Sequence, residues 1–378
     1  MKMNNKIETL YIHIPFCKNI CTYCDFYKMI AKEEVQNKYI EYLIKELQLK
    51  NKLLKNIKTI YIGGGTPSSI SLKNLEMLLL TIKKLIDLQK VVEYTIEVNP
   101  QDITSNLANL LSLMEINRIS MGVQSLDNVQ LKFLNRKHNI ATVTNAIKLL
   151  HENNLFNINC DILYAVYEDN FNRIKHDVDY LENLGIVHFS IYSLILEEKT
   201  VLYHKYLNNE FSLMNEDEET ILYYKIVNYM KQKGFIHYEV SNFSKENYQS
   251  KHNLIYWHNR YYLGIGANAS YYYNNTRYTN INNLEKYYLG IDNNNLIYKE
   301  RLILTKYEQM QEEFIISLRL IKGVSVKSFI KKYNEDPFIV FPFINRLIDN
   351  KLLFYQNDYL YIPENKLYIS NSILVYFI

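Results

Sequence analysis

From residue 10 to about 240, short apolar runs alternate with longer amphipathic stretches, and this alternation constrains the fold more than any other feature. The strand-like runs are "TLYIHI" (9–14), "KTIYIGG" (58–64), "YTIEVN" (94–99), "RISMGV" (118–123), "NINCDILY" (157–164) and "HFSIYSL" (188–194). Between them lie helical patterns at Glu33–Leu54, Leu72–Leu85, Ala141–Leu150 and Phe171–Leu184. Successive β–α units predict a parallel sheet with crossover helices, hence an α/β protein. Polar residues collect just behind the strands: Gly64–Thr66, Glu97, Asn99, Gln124 and Ser125. In a partial barrel of six such units, those strand ends form the face that carries a site.

The pattern changes after residue 294. "TKYEQMQEEFIISLRLI", "SVKSFIKKY" and "FPFINRLIDNKLL" read as helices, and "LLFYQNDYLYI" as a hairpin with an Asn-Asp tip. The expected division is therefore a core over 1–294, with an extension at about 240–290, and a winged-helix-like domain over 295–378. The Asn-rich segment 292–300 reads as the linker.

At 378 residues the chain has ample length to bury a core. Its 48% hydrophobic and 22% charged residues are those of an ordinary globular protein. The N-terminal stretch "MKMNNKIETLYIHI" lacks the apolar centre of a signal peptide, so a cytosolic location with reduced thiols is expected. A net charge of +3 argues against a nucleic-acid partner. Only eight of 43 basic residues are arginine, so each Arg draws notice, above all Arg118 and Arg136. Such positions can need the planar fork that Lys lacks. Arg118, opening a strand, reads as a loop anchor.

Three of the four cysteines stand within "CKNICTYC": Cys17, Cys21 and Cys24. Zinc sites usually close with four ligands in two separated pairs, and no second pair follows. A partial zinc or redox site remains open as a reading. Three thiolates on one loop can also hold three irons of a 4Fe-4S cluster and leave the fourth iron free for a chelating ligand.

This spacing after a strand, with Tyr23 inside it and "GGGTPS" (63–68) on the next unit, resembles the radical S-adenosylmethionine superfamily. "YIHIPFC", "EVNP" (97–100), "NRISMGVQS" (117–125), "LNRKH" (134–138) and "CDILY" (160–164) further resemble its oxygen-independent coproporphyrinogen oxidase group, which includes a HemW-type haem-chaperone branch. The resemblance implies a partial (β/α)6 TIM-like barrel of the radical S-adenosylmethionine type. It also implies that Cys17, Cys21 and Cys24 hold a 4Fe-4S cluster, and that Tyr11, Tyr23, Gly64, Gly65, Thr66, Glu97, Gln124, Arg136 and Asp161 line the S-adenosylmethionine site.

Two features separate the branches. The oxidases keep a further cysteine two residues after the third ligand, where this chain has Phe26. The chaperone branch carries H-N-x-x-Y-W, matched by "HNLIYW" (252–257), which implies His252 as a haem ligand. A packed aromatic turn with a hydrogen-bonded His is the alternative reading of the same residues. Two positions depart from the family pattern: Ala165-Val166-Tyr167 replaces Gly-Leu-Pro, and Asn268 replaces a glycine. The expectation is a haem chaperone that binds haem and passes it to a respiratory acceptor protein, at a membrane surface or elsewhere. The alternatives are a coproporphyrinogen III oxidase and a degenerate structural homologue.

Overall fold

The computed structural model describes residues 6–378. Its centre is a nine-stranded sheet whose first six strands run parallel in chain order. These are β1 (Thr9–Ile14), β2 (Thr59–Gly64), β3 (Glu93–Val98), β4 (Arg118–Gln124), β5 (Ile158–Tyr164) and β6 (His188–Ser193). Beyond β6 the sheet continues with an antiparallel pair, β7 (Ile236–Glu239) and β8 (Asn242–Ser244), with β8 next to β6. At the other end β9 (Leu263–Ile265) joins β1 in parallel. β7 and β9 are edges, so the barrel is partial and open, as expected from six successive β–α units.

The crossovers are α1 (Glu33–Leu49), α2 (Leu72–Leu85), α3 (Ser105–Leu113), the pair α4 (Asn128–Phe133) and α5 (Ile140–Glu152), and α6 (Phe171–Asn183). Side-chain caps set several starts: Ser71, Thr104, Asp127, Asn139 and Asn170 each accept a backbone N–H from the first turn of α2 to α6. The helix expected over Glu33–Leu54 breaks at Lys50, whose backbone leaves the helical region, and a 3-10 turn follows.

Alternation along each strand separates two environments. Ile12, Ile62, Ile96, Ile119 and Ile162 are fully buried beneath the helices. Each contributes about 1.5–3 kcal/mol by leaving water. The alternate residues point into the lumen and are polar: Thr59, Tyr61, Glu93, Thr95, Glu97, Arg118, Ser120, Asn159, Asp161, His188 and Ser190.

After β6 come α7 (Val201–Leu207), α8 (Glu216–Gln232) and, beyond β8, α9 (Lys251–Trp257). A second sheet of β10 (Ser270–Tyr273), β11 (Thr276–Asn280) and β12 (Tyr298–Ile303) follows, with α10 (Leu284–Asp292) between its last two strands. β12 pairs along β11, so this sheet crosses the expected boundary at 295, and the expected linker carries the start of a strand. The asparagines that suggested a linker form only the turn between α10 and β12.

The C-terminal part contains α11 (Lys306–Ser317), α12 (Val326–Tyr333), α13 (Pro337–Val340) and α14 (Phe343–Asp349). Its hairpin of β14 (Phe354–Gln356) and β15 (Tyr359–Tyr361) turns through Asn357 and Asp358 at φ 50° and 75°, and β13 (Val324–Ser325) completes a three-stranded wing. Phe314, Phe329, Phe341 and Phe377 are buried at its centre. Val240 N–H bonds to Arg319 carbonyl and Ile321 N–H to Tyr238 carbonyl, which pins this part to the end of β7. No described helix is long and apolar enough to cross a membrane.

Candidate functional site

The C-terminal ends of the parallel strands open into a cavity of about 390 Å3. Cys17, Cys21 and Cys24 lie at one side of it; all three are free thiols of intermediate exposure. Among the described residues no three His, Cys, Asp or Glu side chains converge as ligands of one metal ion do. The three thiols share one loop and line one cavity. Burial pushes the Cys17 thiol up to about 11 and raises Cys24 as well.

The cysteine loop is tied down at several points. Met29 N–H bonds to Pro15 carbonyl (2.7 Å) and Cys17 N–H to Met29 carbonyl (3.0 Å), closing the loop's base. Asn135 Nδ2 donates to Ile20 carbonyl (2.8 Å), and Asn19 Nδ2 donates back to Asn135 carbonyl (2.7 Å). Lys18 pairs with the buried Asp102 at 2.8 Å. The "LNRKH" stretch thus works as a clamp: Asn135 holds the loop while Arg136 reaches into the cavity.

Beside Cys17, the glycine turn that ends β2 is dictated by close approach. A Cβ on Gly63 would lie 2.8 Å from the Glu97 carboxyl group, and one on Gly64 would lie 2.5 Å from the His13 ring. Gly64 also has φ 117°, a region that L side chains rarely adopt. The turn presents Gly64 N–H to Glu97 Oε2 (3.0 Å), and Tyr61 donates its hydroxyl to Oε1 (2.8 Å). Burial still dominates and raises the Glu97 carboxyl to about 7. Asp161 is raised by burial to about 6, although Asn159 Nδ2 donates to it at 2.8 Å. Two buried carboxyl groups without a bonded cation suit a cationic ligand.

Arg136 donates through Nη2 to Asn99 Oδ1 (2.7 Å) and to the Gly122 carbonyl, and through Nη1 to Cys21 Sγ (3.4 Å). Its Nε is buried without a partner. A donor left over beside the thiols fits a carboxylate on a ligand there. Gln124 reaches the cavity from a bulge in β4, at φ 66°. Thr66 Oγ1 accepts from Asn99 Nδ2 (3.1 Å) and lies 3.5 Å from Cys17 Sγ.

The cavity therefore unites Cys17, Cys21, Cys24, Tyr23, Gly64, Gly65, Thr66, Glu97, Gln124, Arg136 and Asp161. Tyr11 does not line it. Its hydroxyl donates to His13 Nδ1 (2.9 Å), and its ring sits 6.2 Å from Tyr61, which takes the lining position. His13 in turn donates through Nε2 to Tyr27 carbonyl (3.0 Å), and burial holds it neutral, with its pKa lowered to about 4.

His252 is a larger correction. It is fully buried at the opposite, N-terminal end of the lumen, with Nδ1 on Thr59 Oγ1 (3.1 Å) and Nε2 on Tyr256 hydroxyl (2.7 Å). Both ring nitrogens are engaged, so neither faces a haem iron. Glu93 anchors this helix, accepting from Ser250 Oγ, Lys251 N–H and His252 N–H. At the other end Trp257 carbonyl accepts from Ser317 Oγ on α11. The "HNLIYW" stretch thus links the barrel floor to the C-terminal helices. Arg118 is also not a loop anchor; it is 2% exposed and points into the lumen.

Asn135, Asn159 and Asp102 went unread in the sequence, because each works through hydrogen bonds to partners far along the chain, such as Ile20, His188 and Lys18. The only signal was their place beside strand ends. A second cavity, of about 470 Å3 between α9 and the C-terminal helices, contains none of the expected residues.

Comparison with known proteins agrees with this geometry. Residues 11–181 match the Radical SAM superfamily. The chain is 35% identical to "Heme chaperone HemW" of Lactococcus lactis over 100% of its own length and 98% of that protein's. It is 32% identical to the protein of the same name in Bacillus subtilis, over 93% of this chain and 94% of that one. Among solved structures, the Escherichia coli coproporphyrinogen III oxidase HemN, described as a radical SAM enzyme, superposes with a TM-score of 0.85. That match covers 100% of this chain and 91% of HemN at 17% identity, which shows a common fold. The chain belongs to the HemW family of radical S-adenosylmethionine proteins.

Proposed function

We propose that this protein is a haem chaperone that carries a 4Fe-4S cluster, binds S-adenosylmethionine, and passes haem to a respiratory acceptor protein in the cytosol or at the membrane surface. The observation that carries the reading is full-length similarity to relatives named as haem chaperones, in a chain with Phe26 where the oxidases keep a further thiol. Phe26 is 67% exposed beside the cysteine loop, so an apolar ring takes that place at the cavity mouth.

Cys17, Cys21 and Cys24 would hold the cluster, which supplies an open iron able to chelate a ligand and pass it an electron. The chain's own residues do the rest. Arg136 offers its free Nε to the ligand's carboxylate, and the ionised Glu97 and Asp161 offset its positive charge. Tyr23 and Tyr61 close the cavity sides against water. His252 serves as a structural pin in this reading, and the haem ligand lies elsewhere.

The test is anaerobic reconstitution of the cluster, followed by haem titration watched in the Soret band, in parallel with an assay for coproporphyrinogen III decarboxylation. A saturable Soret shift without decarboxylation is the expected result. Decarboxylated product would overturn the chaperone reading in favour of the oxidase. Absence of both a cluster and a haem complex would leave a degenerate homologue.

A further inference from the structure

The cavity extends beyond the residues expected to hold the cluster ligand. It runs down the lumen past Glu97 and Asp161 to Arg118, which enters from the first residue of β4. Arg118 is 2% exposed, and its Nε has no hydrogen-bond partner. No described carboxylate lies within ion-pair reach of it. Asp161, the lumen carboxyl on the neighbouring strand, is tied to Asn159 instead.

Glu93, the carboxylate at the same end of the lumen, is committed to Ser250 Oγ and to the Lys251 and His252 N–H groups, and the other polar groups are hydrogen-bonded to one another. Tyr238 hydroxyl donates to His188 Nε2 (2.7 Å), and His188 Nδ1 donates to Asn159 Oδ1 (2.6 Å). Burial lowers His188 and His252 well out of the charged range, and the Arg118 charge lowers them further. Asn253 lines the same cavity from α9, beside the buried His252. The Arg118 charge favours the ionised Asp161 at a distance, but no described carboxylate bonds the guanidinium. A buried guanidinium without a bonded counter-ion is disfavoured, and an anion in reach of its fork relieves that cost.

We propose that the lumen floor is a carboxylate-binding subsite, in which Arg118 takes the carboxylate through its planar fork and Asn253 supplies a side-chain amide. The site is separate from Arg136, which stands beside the thiols at the other end of the cavity. It follows from the lumen residues alone and does not depend on the haem reading. A free small carboxylate and a carboxylate arm of a larger bound molecule share this chemistry.

Crystals of the cluster-reconstituted protein, grown anaerobically and soaked in bromide, test the subsite directly by anomalous scattering. The expected result is a bromide peak against the Arg118 guanidinium that disappears when propionate is added. In solution, propionate affinity measured by calorimetry should fall at least ~10-fold in Arg118→Gln and partly recover in Arg118→Lys, as loss of a charge-assisted pair implies. Haem and its dimethyl ester then separate the two sources. Weaker binding of the ester to the parent protein, abolished in Arg118→Gln, assigns the arm of a larger molecule; equal binding assigns a free anion. No bromide peak at Arg118, together with propionate affinity unchanged in Arg118→Gln, overturns the proposal.

Discussion

At the scale of single residues, the lumen is a set of polar groups that solve each other's burial. His252 is the clearest case, since both its nitrogens and its backbone N–H are engaged. Its replacement by Ala leaves Thr59 and Tyr256 short of a partner and opens a cavity, so His252→Ala should lose roughly 2–4 kcal/mol of stability in denaturant titration. The haem-dependent Soret shift should persist in the folded fraction. Asn268 makes the opposite point. It occupies a position where the family keeps glycine, and its φ of 60° shows why: the backbone is left-handed there. Asparagine tolerates this conformation better than other side chains, so the turn survives the substitution. Asn268→Gly should be neutral within ~0.5 kcal/mol and Asn268→Ala should cost about 1 kcal/mol, read from melting curves. Ala165, the other departure, stands at φ 55° for the same backbone reason.

At the scale of elements, the cysteine loop is held from outside. Its clamp is the turn after α4, where Asn135 combines φ 58° with a side-chain bond to Ile20 carbonyl. Asn135→Gly keeps the backbone and removes the bond; Asn135→Ala removes both. Iron release to a chelator should accelerate ~5-fold in Asn135→Gly, the worth of one hydrogen bond of about 1 kcal/mol, and further in Asn135→Ala. Loss of the cluster's visible absorbance is the readout. α9 acts as a second joint. Capped by Glu93 and bonded to Ser317, it transmits the position of the barrel floor to the C-terminal helices.

For the whole molecule, the buried carboxyl groups set a pH dependence. Glu97 is raised from 4.5 to about 7 in the fold, and Asp161 from 3.8 to about 6. A raised carboxyl binds its proton more tightly when folded, so its contribution is present below the unfolded value and lost as pH rises through the folded one. The ligand-free protein should therefore lose stability relative to Glu97→Gln between pH 4.5 and 7, by about 3 kcal/mol at most, in urea melts at each pH. His13, whose pKa is lowered to about 4, acts in the opposite sense, and the comparison with Glu97→Gln cancels its effect.

The order of the barrel was legible in the chain because alternating strands and helices leave few ways to pair; β1 to β6 fall within two residues of the expected runs. The cysteine spacing and the glycine turn were legible too, since both are local demands on backbone and ligand. The short strands β7, β8 and β9 were not, because four residues or fewer carry no period of their own. Nor was the fate of His252, Tyr11 or Arg118. The β–α frame, the thiol loop and the family could be read from the chain alone, since these depend on near neighbours along it. Which polar residues face the cavity and which pin the lumen emerged from the folded arrangement, because that choice rests on partners that meet after the sheet has formed.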